Sequence, residues 1–253
     1  MEPILEVRYV TKVFKSGQRP DITALNGVSF CLYPGQTLGI AGESGSGKST
    51  CAKAILHLLN LNGGSIFLHG QNITNLKARE QREVYRKIQM VFQSPMESFD
   101  PRRTIGSGIG ESLRNAGWSK ADTKARVIHL LGQCGLSEEY ADRYPHEISG
   151  GQCQRAAIAR ALAIGPEILI CDEATSALDV TVQQQIMDLL AHMKEVHHLS
   201  YLFISHNLAL MQSCCDEILI MRRGEIVEQG PTDDVLLHPQ HEYTKMLLSG
   251  ILI

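Results

Sequence analysis

The sequence lacks any apolar run of the roughly 20 residues that a bilayer-spanning helix needs, because Arg, Glu or Asp breaks its longest apolar stretches well before that length. No membrane-crossing segment is expected. An excess of basic charge is missing too: 24 Lys and Arg stand against 27 Asp and Glu, a formal net charge of −3. A bulk positive field for wrapping nucleic acid is therefore absent, and no nucleic-acid partner is expected. The opening MEPILEVRYV carries Glu2 and Glu6 where a secretory leader would carry a basic region followed by a pure apolar run. Seven cysteines (Cys31, Cys51, Cys134, Cys153, Cys171, Cys214 and Cys215) form an odd set without a CxxC pair, which argues for reduced thiols in a cytoplasmic setting. Internal repeats, low-complexity tracts and flexible linkers are absent as well, so the chain reads as one sheet-based core.

What is present is a globular composition, 43% hydrophobic and 20% charged over 253 residues. Strand-like runs alternate with helical patterns at both ends: ILEVRY, VSFCLY and TLGIAG early, then EILICDE, SYLFISH and EILIMRRGEIVEQG. That alternation predicts an α/β layer architecture. Between about Ser94 and Ser149 the strands give way to TIGSGIGESLRNAG, KADTKARVIHLLGQCG and SEEYADRYP, which read as short helices punctuated by Gly, Ser and Pro.

Residues 42–50 read GESGSGKST, directly after the apolar TLGIA and directly before the helix-forming CAKAILHLL. Gly42, Gly47, Lys48 and Ser49 satisfy the G-x-x-x-x-G-K-S pattern in its strand–loop–helix context. Gly42, Gly45 and Gly47 let the backbone curl until successive N–H groups face one anion, and the positive end of the next helix faces the same place. Lys48 supplies a point charge for the β- and γ-phosphates, and the Ser49 hydroxyl is a hard ligand for Mg²⁺. The other half of a metal site calls for an acid at a buried strand end, and EILICDE offers Asp172, with Glu173 beside it as candidate general base.

A P-loop alone leaves kinases, GTPases, helicases and transport ATPases open. ISGGQCQRAAIARAL at 148–162 narrows the field, because it resembles the signature of the ABC ATPases, with Ile148 where Leu is commoner. Ser149, Gly150, Gly151 and Gln152 offer a hydroxyl and backbone N–H groups at a helix start; the resemblance implies that they grip ATP held by an opposing subunit. Ser followed by Gly is also an ordinary helix N-cap. Further elements follow in the family's order. Gln93, ending IQMVFQ, matches the Q-loop residue that senses Mg²⁺ and the γ-phosphate, Asp179 in SALD matches the D-loop, and His206 in YLFISHNL matches the switch histidine. Phe14 stands where the family places an adenine-stacking aromatic, although a core role would also suit it.

The resemblance implies a P-loop NTPase fold of ABC type, with an inserted helical subdomain and an N-terminal antiparallel β region. It implies one nucleotide-binding domain over 1–253, with its ATP-binding core at 1–93 and 150–235, a helical subdomain at 94–149 and a short tail at 236–253. Ser44, Ser46 and Thr50 join the P-loop residues above as implied nucleotide contacts, with ATP and Mg²⁺ as the implied ligands. QSPMESFDPRRTIG at 93–106, SALDVTVQQQIMDLL at 176–190 and HPQHEYTKMLL at 238–248 look like the ATPases of dipeptide, oligopeptide and nickel importers. The implied partners are a second ABC ATPase subunit, two transmembrane permease subunits and an extracytoplasmic substrate-binding protein, which puts the chain at the cytoplasmic face of the plasma membrane. The short tail leans toward a nickel-type system. Soluble ABC ATPases of DNA repair or translation, and exporter ATPases, are the competing readings; the stretch between Ser49 and Asp172 is too short for a repair-type coiled coil.

His192, His197, His198, Cys214 and Cys215 read as a solvated face and small buried groups before they read as ligands. KAREQREVYRK at 77–87 reads as a charged helix face.

Overall fold

The computed structural model describes residues 1–15, 17, 20–175 and 178–250. In chain order the elements are β1 (Leu5–Phe14), β2 (Ile22–Leu32), β3 (Thr37–Ala41), α1 (Lys48–Ile55), β4 (Gly63–Leu68), β5 (Gln71–Asn72), α2 (Ala78–Lys87) and β6 (Ile88–Val91). Then come α3 (Ile105–Ile109), α4 (Glu111–Asn115), α5 (Lys120–Gln133), α6 (Gly150–Leu162), β7 (Ile168–Asp172) and α7 (Val180–His197). The last are β8 (Ser200–Ile204), α8 (Leu208–Cys214), β9 (Glu217–Arg222), β10 (Glu225–Pro231), α9 (Thr232–Leu237) and α10 (Glu242–Ser249). The chain divides into two compact units, one of Met1–Tyr85 with Leu199–Ile253 and one of Arg86–His198. This grouping counts β6 and β7 with the helices.

The first unit holds an antiparallel sheet in the order β2-β1-β4-β5. Leu5 of β1 lies opposite Leu32 on one side and Leu68 on the other, and all three are buried. The register shifts near Tyr9, whose φ of 50° and exposed ring mark a bulge that sharpens the strand's twist. Strand β4 was not among the runs read as strands, because GGSIFL opens on two glycines; Gly64, at φ 84°, lies against the β1 backbone where no side chain would fit. In the same unit β3 runs parallel to both β8 and β9, and β10 pairs antiparallel with β9. Every residue of β3 and of β8 is buried, which is why both read as unbroken apolar runs without alternation.

In the second unit β6 and β7 pair in parallel, Ile88 opposite Ile168 and Val91 opposite Cys171. Only helices and turns lie between them in sequence. The helices start where short polar side chains satisfy their first N–H groups: Thr104 caps α3, Ser119 α5, Ser149 α6 and Asp179 α7. Ile105, Ile109, Leu113, Leu130 and Leu131, all fully buried, form the core these helices share. At the far end of α6 the Arg126 guanidinium donates to the carbonyls of Leu162 and Ala163, placing a cation on the negative end of that helix. Among the described residues no helix is long and apolar enough to cross a membrane.

Candidate nucleotide-binding and catalytic residues

The phosphate loop leaves the carboxyl end of β3, the position at which open α/β sheets hold their ligands. Gly42, Gly45 and Gly47 have φ values of 145°, 79° and 112°, a conformation that only glycine enters without strain. A side chain at Gly42 would strike the Met221 carbonyl, and one at Gly47 the Ala24 carbonyl, so two of the glycines also answer to close backbone approach. Lys48 is buried, and its Nζ donates to the Gly42 carbonyl at 2.7 Å and the Glu43 carbonyl at 2.8 Å, closing the loop upon itself. Gly47 gives α1 no side-chain cap, and no acid lies in that helix's first turn. An uncapped helix start with a poised lysine and no competing carboxylate suits a polyphosphate anion. Ser44 and Gly45 are exposed, Ser46 is buried, and Ser49 and Thr50 are half-buried on the first turn of α1.

Phe14 ends β1 with 44% of its surface exposed, which excludes the core role, and Lys12 Nζ lies 5.0 Å from its ring centroid. His206 follows β8 and is exposed; Ser205 and Asn207 beside it shape the turn, the Asn207 N–H donating to Ser205 Oγ at 3.0 Å while Asn207 caps α8.

In the second unit β7 delivers Asp172, buried at 6% exposure, and the next residue turns sharply: Glu173 has φ 47°, a strained conformation for a side-chain-bearing residue. Gln93, just beyond β6, donates from Nε2 to Glu173 Oε2 at 3.0 Å. The parallel pairing of β6 with β7 is what brings together two residues 80 positions apart. Within the second unit Asp172 and Gln93 offer a carboxylate and an amide oxygen, hard donors of the kind Mg²⁺ takes and a soft metal does not favour.

Ser149 and Gln152 form a reciprocal capping box at the start of α6: Gln152 N–H donates to Ser149 Oγ at 3.3 Å and Ser149 N–H to Gln152 Oε1 at 2.9 Å. The two glycines between them differ. A Cβ on Gly151 would come within 2.8 Å of Val182 on α7, so packing explains that glycine, whereas one on Gly150 would meet nothing within 4 Å. Gly150 is exposed, and nothing among the described residues requires it to be glycine. Asp179 caps α7 by accepting from Val182 N–H at 3.0 Å; Ser176 and Ala177 of the same SALD stretch lie outside the described residues.

Three contacts escaped the sequence reading. Gln152 Nε2 donates to the Tyr140 hydroxyl at 2.8 Å, and Arg160 on α6 donates to the Ser98 carbonyl while stacking over Phe99, which ties the helix begun at Ser149 to the turn that follows Gln93. In the first unit the Tyr243 hydroxyl accepts from the Glu43 N–H at 3.2 Å. Arg160 stood inside a recognised motif and Tyr243 inside a noted tail, but no local spacing says what either touches.

All seven cysteines are free thiols. Burial pushes the Cys51 and Cys134 thiols up to about 12 and Cys153 to about 11, so at pH 8 they carry almost no reactive thiolate. A thiol reagent at pH 8 is expected to label the half-buried Cys31 and Cys214 in the native chain and to leave Cys51, Cys134 and Cys153 untouched until denaturant is added. Mass spectrometry of the labelled peptides checks this; native labelling of Cys51 or Cys153 would contradict the packing around α1 or α6. Among the described residues no group of three or more His, Cys, Asp or Glu gathers as a metal-ligand cluster; His197 Nε2 lies 3.2 Å from Gln133 Oε1, and the sulfurs of Cys214 and Cys215 are 3.7 Å apart.

Residues 25–176 match the family model described as ABC transporter. The chain is 46% identical over 257 aligned residues to the glutathione import ATP-binding protein GsiA of Salmonella paratyphi A (strain ATCC 9150 / SARB42), an alignment covering 99% of this chain and 41% of that protein. The same figures hold for GsiA of Escherichia coli (strain K12), so the chain spans about two fifths of the length of the curated relatives it matches. Among solved structures, the ATP-binding cassette MJ0796, a dimer bound to ADP and Pi in a post-hydrolysis state, superposes with a TM-score of 0.82 at 29% identity, covering 90% of this chain and 98% of that one. cbiO1 from Clostridium perfringens, part of the ABC transporter complex cbiONQ, also gives 0.82, at 25% identity over 94% of this chain and 92% of that one. With the phosphate loop, the strand-end acids and the serine-glycine helix start all carried on this fold, the chain belongs to the ABC transporter family.

Proposed function

We propose that this chain is the ATP-hydrolysing nucleotide-binding subunit of an importer for small peptides or chelated transition-metal ions. The observation that carries the reading is the coexistence of a phosphate cradle at 42–49 with an exposed helix start whose glycine, Gly150, is explained by no contact among the described residues. A cassette that holds ATP on its own cradle and offers that helix start to a second cassette works head to tail, and the related MJ0796 cassette is described as dimeric.

The roles follow from the chemistry of each group. The open face of Phe14 stacks the adenine. Backbone N–H groups of the loop, with Lys48 and the hydroxyls of Ser49 and Thr50, hold the phosphates; Ser44, Gly45 and Ser46 complete the curl. Mg²⁺, held by Ser49, Asp172 and Gln93, would neutralise charge on the phosphoryl oxygens. Glu173 takes the proton of the attacking water, Gln93 orients its carboxylate through the amide hydrogen bond, and His206 positions the water. Ser149, Gly150, Gly151 and Gln152 grip the nucleotide of the second subunit, with Asp179 at the junction.

The helical segment 94–149 meets two permease subunits at the cytoplasmic face of the membrane. Within it Met96, Trp118 and Tyr144 are each between 38% and 45% exposed, large apolar side chains available for docking. A substrate-binding protein outside the membrane delivers the cargo. Glutathione is a tripeptide, so the relatives named for its import favour a peptide over a metal chelate.

Deleting the gene and following labelled glutathione, a labelled dipeptide and labelled nickel in separate cultures tests the reading. Loss of one uptake, restored by the wild-type chain and not by Glu173→Gln, is the expected result. Unchanged uptake of all three, with no membrane protein co-purifying, would overturn it.

A further inference from the structure

The C-terminal segment HPQHEYT is fastened at two points. On β10, Glu228 accepts the N–H of Gln240 at 2.7 Å and of His241 at 3.2 Å, which fixes where the chain enters α10. Burial works to raise the Glu228 carboxyl, and the N–H groups of Gln240 and His241 help to outweigh it, so the group is held below its ordinary value and stays charged at neutral pH. The second fastening is Tyr243. Its ring is 2% exposed beneath the Arg222 guanidinium, 4.8 Å from the centroid, and its hydroxyl accepts the Glu43 N–H of the phosphate loop.

That places the Glu43 backbone between two holds, the Tyr243 hydroxyl accepting its N–H and the Lys48 ammonium donating to its carbonyl at 2.8 Å. The loop here runs through Gly42 at φ 145° and belongs to no strand or helix. Its shape therefore depends on such individual bonds, another being Gly224 N–H to the Ser46 carbonyl at 2.8 Å. When Lys48 turns to a phosphate it must release the carbonyls of Gly42 and Glu43. The bond that the Glu43 N–H donates to the Tyr243 hydroxyl does not involve the lysine.

We propose that Tyr243 is a positioning residue: through the Glu43 peptide the C-terminal segment holds the phosphate loop in its nucleotide-accepting shape and so sets ATP affinity. The inference rests on the reading of 42–49 as the nucleotide cradle. It gives the tail a task inside its own subunit, and a partner that moved α10 would alter nucleotide affinity without touching nucleotide.

The test uses the full chain as wild type, Tyr243→Phe, Glu228→Ala and Lys48→Ala. It reads Mg-ATP affinity with a fluorescent analogue, KM and kcat for phosphate release, amide exchange of the peptide containing Glu43, and Tm. Tyr243→Phe keeps the ring under Arg222 and loses one hydrogen bond, so Kd and KM should rise about three- to tenfold with kcat nearly unchanged. Exchange at the Glu43 peptide should quicken. Glu228→Ala, which frees the tail with Tyr243 intact, should move KM the same way, and it carries the test should Tyr243→Phe not fold. Wild-type Kd and KM in both variants, even with a lowered Tm, would overturn the proposal by reducing the tail to a structural prop. A Lys48→Ala chain binding ATP as tightly as wild type would remove the cradle reading beneath it, so the two failures are distinguishable.

Discussion

Lys48→Ala is expected to weaken Mg-ATP binding by about a hundredfold or more while leaving the chain folded. A hydrogen bond from a charged donor contributes about 1.5–3 kcal/mol, and every 1.4 kcal/mol is tenfold in affinity, so two such bonds to phosphate oxygens suffice. The structure adds a second cost. The ammonium also closes the loop across the carbonyls of Gly42 and Glu43, so its removal loosens the loop as well. The remaining loop fastenings, Gly224 to Ser46 and Tyr243 to Glu43, lie outside the lysine and should keep the fold intact. Titration with a fluorescent ATP analogue, beside a thermal melt, measures the effect. Affinity within about threefold of wild type would take Lys48 out of the binding role.

Glu173→Gln is expected to lower kcat by about 10² to 10⁴ with ATP affinity nearly unchanged, because that is the range a positioned general base contributes. The substitution suits this site for a geometric reason. Gln93 donates to one oxygen of Glu173, and a glutamine there presents a carbonyl oxygen at the same place while losing only proton-accepting capacity. The backbone at φ 47° is the same strained conformation for either residue, so the variant changes chemistry and leaves shape alone. Phosphate release and retained nucleotide, measured on the same sample of the assembled transporter, separate the two effects. Wild-type turnover would remove Glu173 from the mechanism.

Lys48 and Glu173 are both legible in the sequence, and the reason lies in how locally they are specified. Glycines at fixed offsets, a lysine and a serine between an apolar run and a helical run demand one conformation from nine consecutive residues, and the φ angles at Gly42, Gly45 and Gly47 are what that pattern requires. Asp172 and Glu173 were legible for the same reason, as the polar end of a fully buried strand. Ser149 with Gln152 likewise specified its own helix start through a capping box that needs no distant partner.

By itself, then, the sequence determined the α/β class, the phosphate loop, the strand-end acids and the helix starts, all of which are settled among near neighbours along the chain. Only the tertiary structure decided that Phe14 is exposed and not core, that Gly151 answers to Val182 while Gly150 answers to nothing among the described residues, and that Gln93 reaches Glu173. It alone brought Tyr243 to the phosphate loop 200 residues away. Such contacts follow from which strands pair and which faces are left to pack, and that choice is made by the burial of the whole chain against its entropy, which no short window of residues records.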